Sequence, residues 1–244
     1  MPLMPTLTRA NALFLDFDGT LTDIAAQPQA VHVPVGLAPT LSALHRLLGG
    51  ALAIVTGRRE SDIDGFLAPL VLPLASEHGA QYRFGDGNRP AIAAPELGPV
   101  LQAAEQLAAQ HPALLVEIKR ASVALHFRQA PHLEKLCRQT LERPMRDLTG
   151  LELLNGKCVY EVKPAGIHKG QAVAAFMGQP PFAGRTPVFV GDDVTDEAGF
   201  ASVMALGGLA IKVGEGPTHA QFRCMTPAAL RGWLSASRTA LERA

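Results

Sequence analysis

The stretch LFLDFDGTLTD, residues 13–23, places two carboxylates directly after an apolar run. Residues 12–15 are all apolar, which is typical of a strand buried on both faces, and Asp16 and Asp18 follow just before Gly19. Alternate side chains of an extended strand point to the same side, so the two carboxylates converge if the strand persists, whereas a turn at Gly19 splays them. Because like charges at this spacing repel, a cation or a proton must offset them.

A calcium-binding EF-hand loop is one arrangement that this stretch does not fit. Counting from Asp16, position 6 is Leu21 where such loops need Gly, and position 12 is Gln27 where they need Glu. The sequence therefore predicts a different kind of cation site.

Size and composition limit the classes of function. The chain has 244 residues, 48% of them hydrophobic, which suits one large domain or two modest ones. Lys plus Arg and Asp plus Glu each number 22, so the chain lacks the basic excess that draws proteins to nucleic acid or to anionic membranes. No apolar run reaches the roughly 18 residues of a membrane span, and residues 1–10 lack the pattern of a signal peptide.

The cysteines indicate a reducing compartment. Cys137, Cys158 and Cys224 are odd in number and widely separated, so they predict neither a disulfide framework nor a zinc cluster. With the neutral charge balance, this predicts a cytoplasmic protein with no nucleic-acid or membrane partner.

Short apolar runs alternate with amphipathic helical stretches along most of the chain. Helical spacing of apolar residues follows the first two runs, in residues 34–48 and 58–70. Such a strand–helix–strand order predicts an α/β fold, a Rossmann-like parallel sheet with helices on both faces. The runs that we predict as buried strands are residues 11–17, 51–57, 186–193 and 209–214.

Polar residues end three of these strands. Asp16, Thr56 and Asp192 all lie at the carboxyl ends of predicted strands. Ligands of parallel sheets bind outside those ends. The predicted fold therefore brings polar groups from three strands to one edge of the sheet.

The middle of the chain has a different pattern. Residues 84–99 are rich in Gly and Pro, and residues 113–120 and 121–128 alternate apolar and polar side chains, as an antiparallel pair with one wet face does. Asn155–Gly156 is a strong hairpin signal. The predicted domains are a core in two parts, residues 1–84 and 163–244, and an inserted α/β domain, residues 85–162.

A second acidic cluster, GDDVTDE at residues 191–197, also follows a buried strand. It supplies Asp192, Asp193 and Asp196 at the edge where Asp16 also lies. Hard oxygen ligands suit Mg²⁺, which usually takes one or two protein carboxylates together with phosphate oxygens. A single such Asp often only caps the next helix, but two acidic clusters after buried strands favour a metal site.

Two further groups suit an anionic substrate. VTGR, residues 55–58, offers the Thr56 hydroxyl and the backbone N–H of a glycine at a strand end. GIHKGQAVAAF, residues 166–176, places Lys169 at a helix start, and a helix N-terminus with a lysine favours a phosphate. The alternative for Lys169 is an ordinary solvated surface lysine.

Together these motifs resemble those of a known family. DFDGT, TGR, HKG and GDDVTDE occur in the order and rough spacing of the four motifs of the haloacid dehalogenase-like phosphatases. More narrowly, LASEHGA (74–80), EIKRASVALHFR (117–128) and GKCVYEVKP (156–164) resemble signatures of the trehalose-6-phosphate phosphatases. The resemblance covers about residues 11–234.

The resemblance implies a magnesium-dependent enzyme that hydrolyses a disaccharide phosphate, trehalose 6-phosphate, through an aspartyl-phosphate. Asp16 is then the nucleophile. Asp18 is the general acid that protonates the departing sugar oxygen, and later the base that activates water. The implied ligands of Mg²⁺ are Asp16, the backbone carbonyl of Asp18, and Asp192.

The same resemblance assigns further residues around the phosphate. Thr56 and Lys169 hold the phosphoryl oxygens, and Asp193 and Asp196 orient the metal ligands or Lys169. Arg58 reaches the substrate or caps the next helix.

The resemblance also implies that the inserted domain is a mobile cap that closes over the sugar. Glu117, Lys119, Lys157 and Glu161 are assigned to the trehalose moiety, with ordinary cross-strand ion pairs as the alternative. Lys157 and Glu161 share a face only if their strand is continuous.

Two histidines and an arginine remain as candidates to line the cleft. His78 lines the cleft or is a buried histidine with satisfied hydrogen bonds. His126 and Arg128 are further candidates to line the cleft, and no histidine spacing supports a metal site.

Other functions fit part of the sequence. The same chemistry on another sugar phosphate, such as sucrose 6-phosphate or mannosyl-phosphoglycerate, is the nearest alternative. A response-regulator receiver domain shares an acidic pair, a Thr and a Lys, but such chains are much shorter and lack the insert. A catalytically inactive sugar-phosphate sensor is disfavoured because all four core motifs are intact.

Overall fold

A computed structural model describes residues 4–25 and 27–244 of the chain. The chain separates into two compact units. One combines the chain up to Pro90 with His168–Ala244, and the other is Ala91–Ile167. The second unit overlaps the predicted insert, residues 85–162, with both of its boundaries further along the chain.

The elements are numbered along the chain. The strands are β1 (Asn11–Leu15), β2 (Leu52–Val55), β3 (Leu74–Ser76), β4 (Gln81–Arg83), β5 (Leu115–Ile118), β6 (Val123–His126), β7 (Leu151–Gly156), β8 (Val159–Pro164), β9 (Thr186–Gly191), β10 (Leu209–Val213) and β11 (Phe222–Cys224). The α-helices are α1 (Leu37–Leu47), α2 (Glu60–Leu67), α3 (Gly98–Gln110), α4 (Glu134–Met145), α5 (Lys169–Met177), α6 (Glu197–Ala205) and α7 (Pro227–Arg243). Short 3-10 turns occupy Pro28–Ala30, Glu77–Gly79, Pro131–Leu133 and Val194–Asp196.

The first unit is built on a seven-stranded sheet in the order β11–β10–β9–β1–β2–β3–β4. Neighbouring strands are parallel except for β3 and β4, which are antiparallel. Parallel neighbours need crossover connections, and helices supply them. The predicted α/β fold is confirmed.

The side chains of β1 show how both faces of this sheet are buried. Leu13 and Leu15 pack into one core with helices α1 and α7, whereas Ala12 and Phe14 pack into a second core with α5 and α6. All four side chains are 0% exposed. The strand therefore reads as a continuous apolar run, without alternation.

The C-terminal helix α7 closes the first of these cores with Leu230 and Leu234. Trp233, the single tryptophan of the chain, packs against the same core and donates its indole N–H to the carbonyl of Pro5 at 2.9 Å. This helix thus ties the end of the chain to its beginning. No helix in the described parts of the chain is both long enough and apolar enough to cross a membrane.

The second unit is an antiparallel sheet in the order β5–β6–β8–β7, with helices α3 and α4. Val123 and Val162 belong to the core that the sheet forms with these helices. Glu117 and Glu161 align with Ala124 in one row across three strands, on the opposite face. The alternation in the sequence therefore reflects one apolar face and one polar face.

The hairpin between β7 and β8 turns two residues later than predicted. Gly156 pairs with Val159, so the loop is Lys157–Cys158 and Asn155 remains in β7. A Cβ at Gly156 would lie 2.8 Å from Val159 Cγ1. The glycine therefore permits close packing across the strands, and the left-handed conformation falls instead on Cys158, with φ 62°.

Candidate active site

Three predicted site residues follow three neighbouring strands of the first unit. β1 lies between β9 and β2 in the sheet. Asp16 follows β1, Asp192 follows β9 and Thr56 follows β2, and all three side chains are buried. Because parallel strands end at the same edge, the fold brings these groups to one rim of the sheet.

Lys169 bridges two acidic residues at this rim. It begins α5, and its ammonium lies 2.7 Å from Asp16 Oδ1 and 2.7 Å from Asp196 Oδ1. Burial alone would lower the pKa of Lys169, but the attraction of Asp16 and Asp196 outweighs it and raises that pKa. The lysine therefore stays charged although it is buried.

The pKa of Asp16 is also raised, which for a carboxyl group favours the neutral form. Burial, followed by the charge of Asp196, raises the pKa of Asp16 well above its usual range, although the Lys169 ammonium opposes the shift. Asp192 acts in the same direction as Asp196. Ionisation of Asp16 therefore costs free energy unless further positive charge reaches the site.

Asp196 braces the loop after β9. Its Oδ2 accepts hydrogen bonds from the backbone N–H groups of Asp192 (2.9 Å) and Asp193 (2.8 Å), while its Oδ1 faces Lys169. The carboxylate lies directly over Gly191, where a Cβ would come within 2.2 Å of Asp196 Cγ. Asp193 is the N-cap of the 3-10 turn that follows.

Three carboxylates form a group that could hold a metal ion. Oxygen atoms of Asp16, Asp192 and Asp196 all lie within 4.8 Å of one another. The Thr20 hydroxyl lies 3.3 Å from Asp16 Oδ2 and 3.5 Å from Asp192 Oδ1. At Gly19 a Cβ would come within 2.2 Å of Asp192 Oδ2, so the bare glycine makes room for this carboxylate. Hard oxygen donors with an excess of negative charge suit a divalent cation such as Mg²⁺.

The three carboxylates are not equally available as ligands. Asp196 accepts three hydrogen bonds of 2.9 Å or less, one from Lys169 and two from backbone N–H groups, whereas Asp16 accepts one from Lys169 at 2.7 Å and a longer one from the Thr20 hydroxyl at 3.3 Å. Asp16 and Asp192 are therefore the better candidates. The predicted contribution of Asp18 comes from its backbone carbonyl and stays a prediction.

The side chain of Asp18 faces Arg58. Its two oxygens accept hydrogen bonds from Arg58 Nε (2.5 Å) and Nη2 (2.7 Å), and Arg58 Nη1 donates to the carbonyl of Pro28 at 2.9 Å. The turn at Gly19 thus splays the two carboxylates of DFDGT. Lys169 compensates the charge of the Asp16 carboxylate, and Arg58 compensates the charge of the Asp18 carboxylate.

His78 packs against the segment that follows β2. A Cβ at Gly57 would come within 2.6 Å of His78 Nε2, and the backbone N–H of His78 donates to the carbonyl of Thr56 at 2.9 Å. The backbone N–H of Arg58 donates to Thr56 Oγ1 at 3.2 Å. Glu77 (φ 48°) and His78 (φ 61°) both adopt the left-handed region, a costly conformation that clusters at functional sites.

Three of the four predicted sugar-binding residues share the polar face of the second unit. Lys119 Nζ lies 2.9 Å from Glu161 Oε2, and each of these side chains is 6% exposed. Glu117 Oε2 lies 2.9 Å from His126 Nε2. Burial acts to raise the pKa of Glu117, but the hydrogen bond with His126 and the charge of Lys119 lower it overall.

Lys157 does not belong to a strand of this sheet. It is exposed in the hairpin loop, where its carbonyl accepts a hydrogen bond from Arg128 Nη2 at 3.0 Å. Because the turn interrupts the strand between Lys157 and Glu161, alternation does not place the two side chains on one face.

The sequence patterns do not predict the positions of two polar residues beside the acidic group. Thr20 belongs to the motif DFDGT, but its place between Asp16 and Asp192 depends on the turn. Lys212 lies in β10 and donates to the backbone carbonyl of Asp192. Its only signal in the sequence is a single charge inside the apolar run LAIKV.

Comparison with known proteins gives a family match over most of the chain. The family model for trehalose-phosphatase matches residues 14–225. This chain belongs to the trehalose-phosphatase family. The match spans all four core motifs and confirms the resemblance that the motifs predict.

Relatives of this trehalose-phosphatase family member match most of its length. Trehalose-6-phosphate phosphatase of Escherichia coli K12 is 40% identical over 240 residues, which cover 98% of this chain and 90% of that protein. A probable trehalose-phosphate phosphatase of Sinorhizobium fredii is 45% identical over 208 residues, which cover 83% and 77%. The crystal structure of a trehalose-6-phosphate phosphatase related protein has a TM-score of 0.78 and 28% identity, and the match covers 95% of this chain and 99% of that one.

Gly19→Ala tests whether the close approach of Asp192 to the turn is needed. Gly19 has φ 73°, and an added Cβ would overlap Asp192 Oδ2, so phosphatase activity should fall at least about a hundredfold. Gly87→Ala is the matched control, because Gly87 has φ 84° but nothing within 4 Å of the added Cβ. The control should lose about 1 kcal/mol of stability and keep its activity. Equal losses of activity in both variants would mean that backbone strain, and not overlap with Asp192, lowers the activity.

Asp16→Asn should stabilise the metal-free protein at neutral pH, since it removes a buried carboxylate with a raised pKa. Ionisation of Asp16 is disfavoured in the folded state. The gain, on the order of 1 kcal/mol, is therefore largest above the raised pKa, shrinks as the pH falls through it, and vanishes below the ordinary value of 3.8.

Urea denaturation in EDTA, from about pH 4 to about pH 8, measures this difference. Asp147→Asn, at an exposed position, is the control and should show no such trend. A loss of stability at neutral pH would mean that the pair with Lys169 outweighs burial.

Proposed function

We propose that this chain hydrolyses trehalose 6-phosphate to trehalose and phosphate, with Mg²⁺ as cofactor and an aspartyl-phosphate on Asp16 as intermediate. The observation that carries the proposal is the buried contact of Asp16 with Lys169, beside Asp192 and Asp196 at one edge of a parallel sheet. The names of the relatives in E. coli and S. fredii support the choice of substrate.

Asp16 is placed to act as the nucleophile. Lys169 contacts one carboxylate oxygen and the Thr20 hydroxyl contacts the other, which fixes the direction of the group. An oxygen of ionised Asp16 attacks phosphorus, and the bond from phosphorus to the sugar oxygen breaks. Asp16, the Asp18 carbonyl and Asp192 would hold Mg²⁺, whose positive charge would offset the repulsion between carboxylate and phosphate. The same charge favours the ionised form of Asp16, which burial disfavours.

Asp18 provides the proton chemistry in this proposal. It protonates the departing sugar oxygen, and its carboxylate then takes a proton from the water that attacks the aspartyl-phosphate, which releases phosphate and restores Asp16. Arg58 fixes the direction of the Asp18 carboxylate through two hydrogen bonds. One of these bonds must open before Asp18 delivers its proton, so Arg58 influences the acid step through Asp18.

Thr56 and Lys169 bind the phosphoryl oxygens. The Thr56 hydroxyl oxygen accepts the N–H of Arg58, which leaves its own O–H for a phosphoryl oxygen. Asp196 holds Lys169 at the rim, and Asp193 belongs to the same braced loop. Positioning and charge compensation of this kind supply most of the acceleration in phosphoryl transfer.

His78 and Arg58 complete the proposed substrate contacts in the first unit. A substrate contact by His78 is supported by two observations. His78 packs against Gly57, directly after Thr56, and its own backbone adopts the strained left-handed conformation. An imidazole in this place could donate a hydrogen bond to the phosphate or to the sugar next to it.

We assign recognition of the disaccharide to the second unit, which we propose acts as a cap. Glu161 accepts hydrogen bonds from Lys119 (2.9 Å) and from Ser122 Oγ (2.5 Å), and Glu117 lies in the same row of the sheet. Converging donors and acceptors of this kind suit the many hydroxyl groups of a disaccharide. We also assign Lys157, in the adjoining hairpin loop, to recognition of the disaccharide.

Charge and cysteine chemistry support a small-molecule partner and a cytoplasmic location. The formal net charge is zero, so no basic surface excess attracts nucleic acid or anionic membranes. The three cysteines, all within the described residues, are free thiols, which suits a reducing compartment.

A panel of sugar phosphates tests the substrate. We expect kcat/KM for trehalose 6-phosphate to exceed the values for sucrose 6-phosphate and mannosyl-phosphoglycerate by at least about a hundredfold, measured as released phosphate. EDTA should abolish turnover and Mg²⁺ should restore it.

Asp16→Asn should lower kcat at least about a thousandfold, and the variant should still bind the substrate.

Two results would contradict different parts of the proposal. Equal or faster turnover of another sugar phosphate would overturn the substrate but keep the chemistry. Full turnover in EDTA would overturn the metal dependence.

Glu161→Gln tests the assignment of the sugar site. It should lower kcat/KM for trehalose 6-phosphate about tenfold or more, because a charged acceptor for sugar hydroxyls is lost. Hydrolysis of p-nitrophenyl phosphate, which has no sugar, should not change. Glu142→Gln is the control, since Glu142 pairs with Arg138 along α4. A similar loss on both substrates would indicate a general defect and refute the assignment.

A further inference from the structure

Lys212 is a buried lysine that the proposed chemistry leaves unused. It lies in β10 among the buried residues Ala210, Ile211 and Val213, and its own exposed fraction is 5%. Removal of an ammonium from water is costly unless hydrogen bonds replace the lost hydration. An apolar side chain would suit this strand without that cost, so packing alone does not account for a lysine here.

The strand register places Lys212 beside the acidic loop. Lys212 aligns with Gly191 of β9 in the parallel ladder, so both residues project on the same face of the sheet. This is the face on which Asp196 lies over Gly191. The side chain of Lys212 therefore extends toward the base of the loop that carries Asp192.

Lys212 and Asp196 together fix the backbone of Asp192 through hydrogen bonds. Its ammonium donates to the backbone carbonyl of Asp192 and, at 2.8 Å, to that of Val213. The backbone N–H of Asp192 donates to Asp196 Oδ2 at 2.9 Å. Both peptide groups of Asp192 are thus held by charged side chains, a carboxylate at the N–H and an ammonium at the carbonyl, and charge-assisted hydrogen bonds are the stronger kind.

We propose that Lys212 is a positioning residue that holds the Asp192 carboxylate in the orientation needed to bind the divalent cation. The inference rests on the proposed metal-dependent function. Lys212 acts through the backbone of Asp192. The sign of its effect on cation binding separates this role from a purely electrostatic one, because loss of a positioning contact weakens cation binding whereas loss of a repelling charge strengthens it.

Lys212→Met is the direct test, because Met keeps most of the side-chain length and has neither the donor nor the charge. Binding of Mn²⁺ to the full chain, measured from the free-ion electron paramagnetic resonance signal, should weaken at least about tenfold. At saturating Mg²⁺, KM for trehalose 6-phosphate should stay within about twofold of the native value while kcat falls. A residue with only a structural role would lower thermal stability and leave Mn²⁺ affinity unchanged.

Arg223→Met is the matched control. Arg223 aligns with Lys212 on the neighbouring strand β11 and also donates to backbone carbonyls, those of Gly214 and Gly216. It has no such contact with Asp192. The control should keep native Mn²⁺ affinity.

Native or tighter Mn²⁺ binding by the Lys212→Met variant would overturn the proposal, and so would equal weakening in the Arg223→Met control. If the Met variant does not fold, Lys212→Gln replaces it, since its shorter amide does not span both carbonyls. Weaker binding by the Gln variant then supports the proposal, and native binding overturns it. If the native chain itself binds no Mn²⁺, the metal-dependent function fails, which is a distinct result.

Discussion

The ammonium of Lys169, buried between the carboxylates of Asp16 and Asp196, is the interaction on which the candidate site depends. It joins parts of the chain that are far apart in sequence, namely the end of β1, the start of α5 and the loop after β9. Without this ammonium the buried carboxylates would repel each other with no positive charge between them. The electrostatics of the site therefore constrain how α5 packs on the sheet.

The location of the site could be predicted from the sequence because it follows from topology. Apolar runs without alternation predict strands buried on both faces, and such strands belong to parallel sheets covered by helices. Asp16, Thr56 and Asp192 each end such a run, and the ends of parallel strands share one edge. These residues therefore come together whatever the details of the loops.

The pairing of side chains could not be predicted in the same way, because it depends on turns. The spacing in DFDGT allows convergence or splaying, and the turn at Gly19 directs Asp18 to Arg58. The hairpin turn falls on Lys157 and Cys158, so strand alternation does not determine the face on which the Lys157 side chain lies. Strands β3, β4 and β11 have three residues each, too few to show a period.

The single tryptophan has a consequence for how the two units can be observed. Trp233 lies in the first unit, whereas the two tyrosines are divided, Tyr82 in the first unit and Tyr160 in the second. Indole emission therefore reports on one unit alone, while far-ultraviolet circular dichroism sums over both. Coincident midpoints of the two optical signals would show that the units melt cooperatively, and separate midpoints would show that each melts on its own.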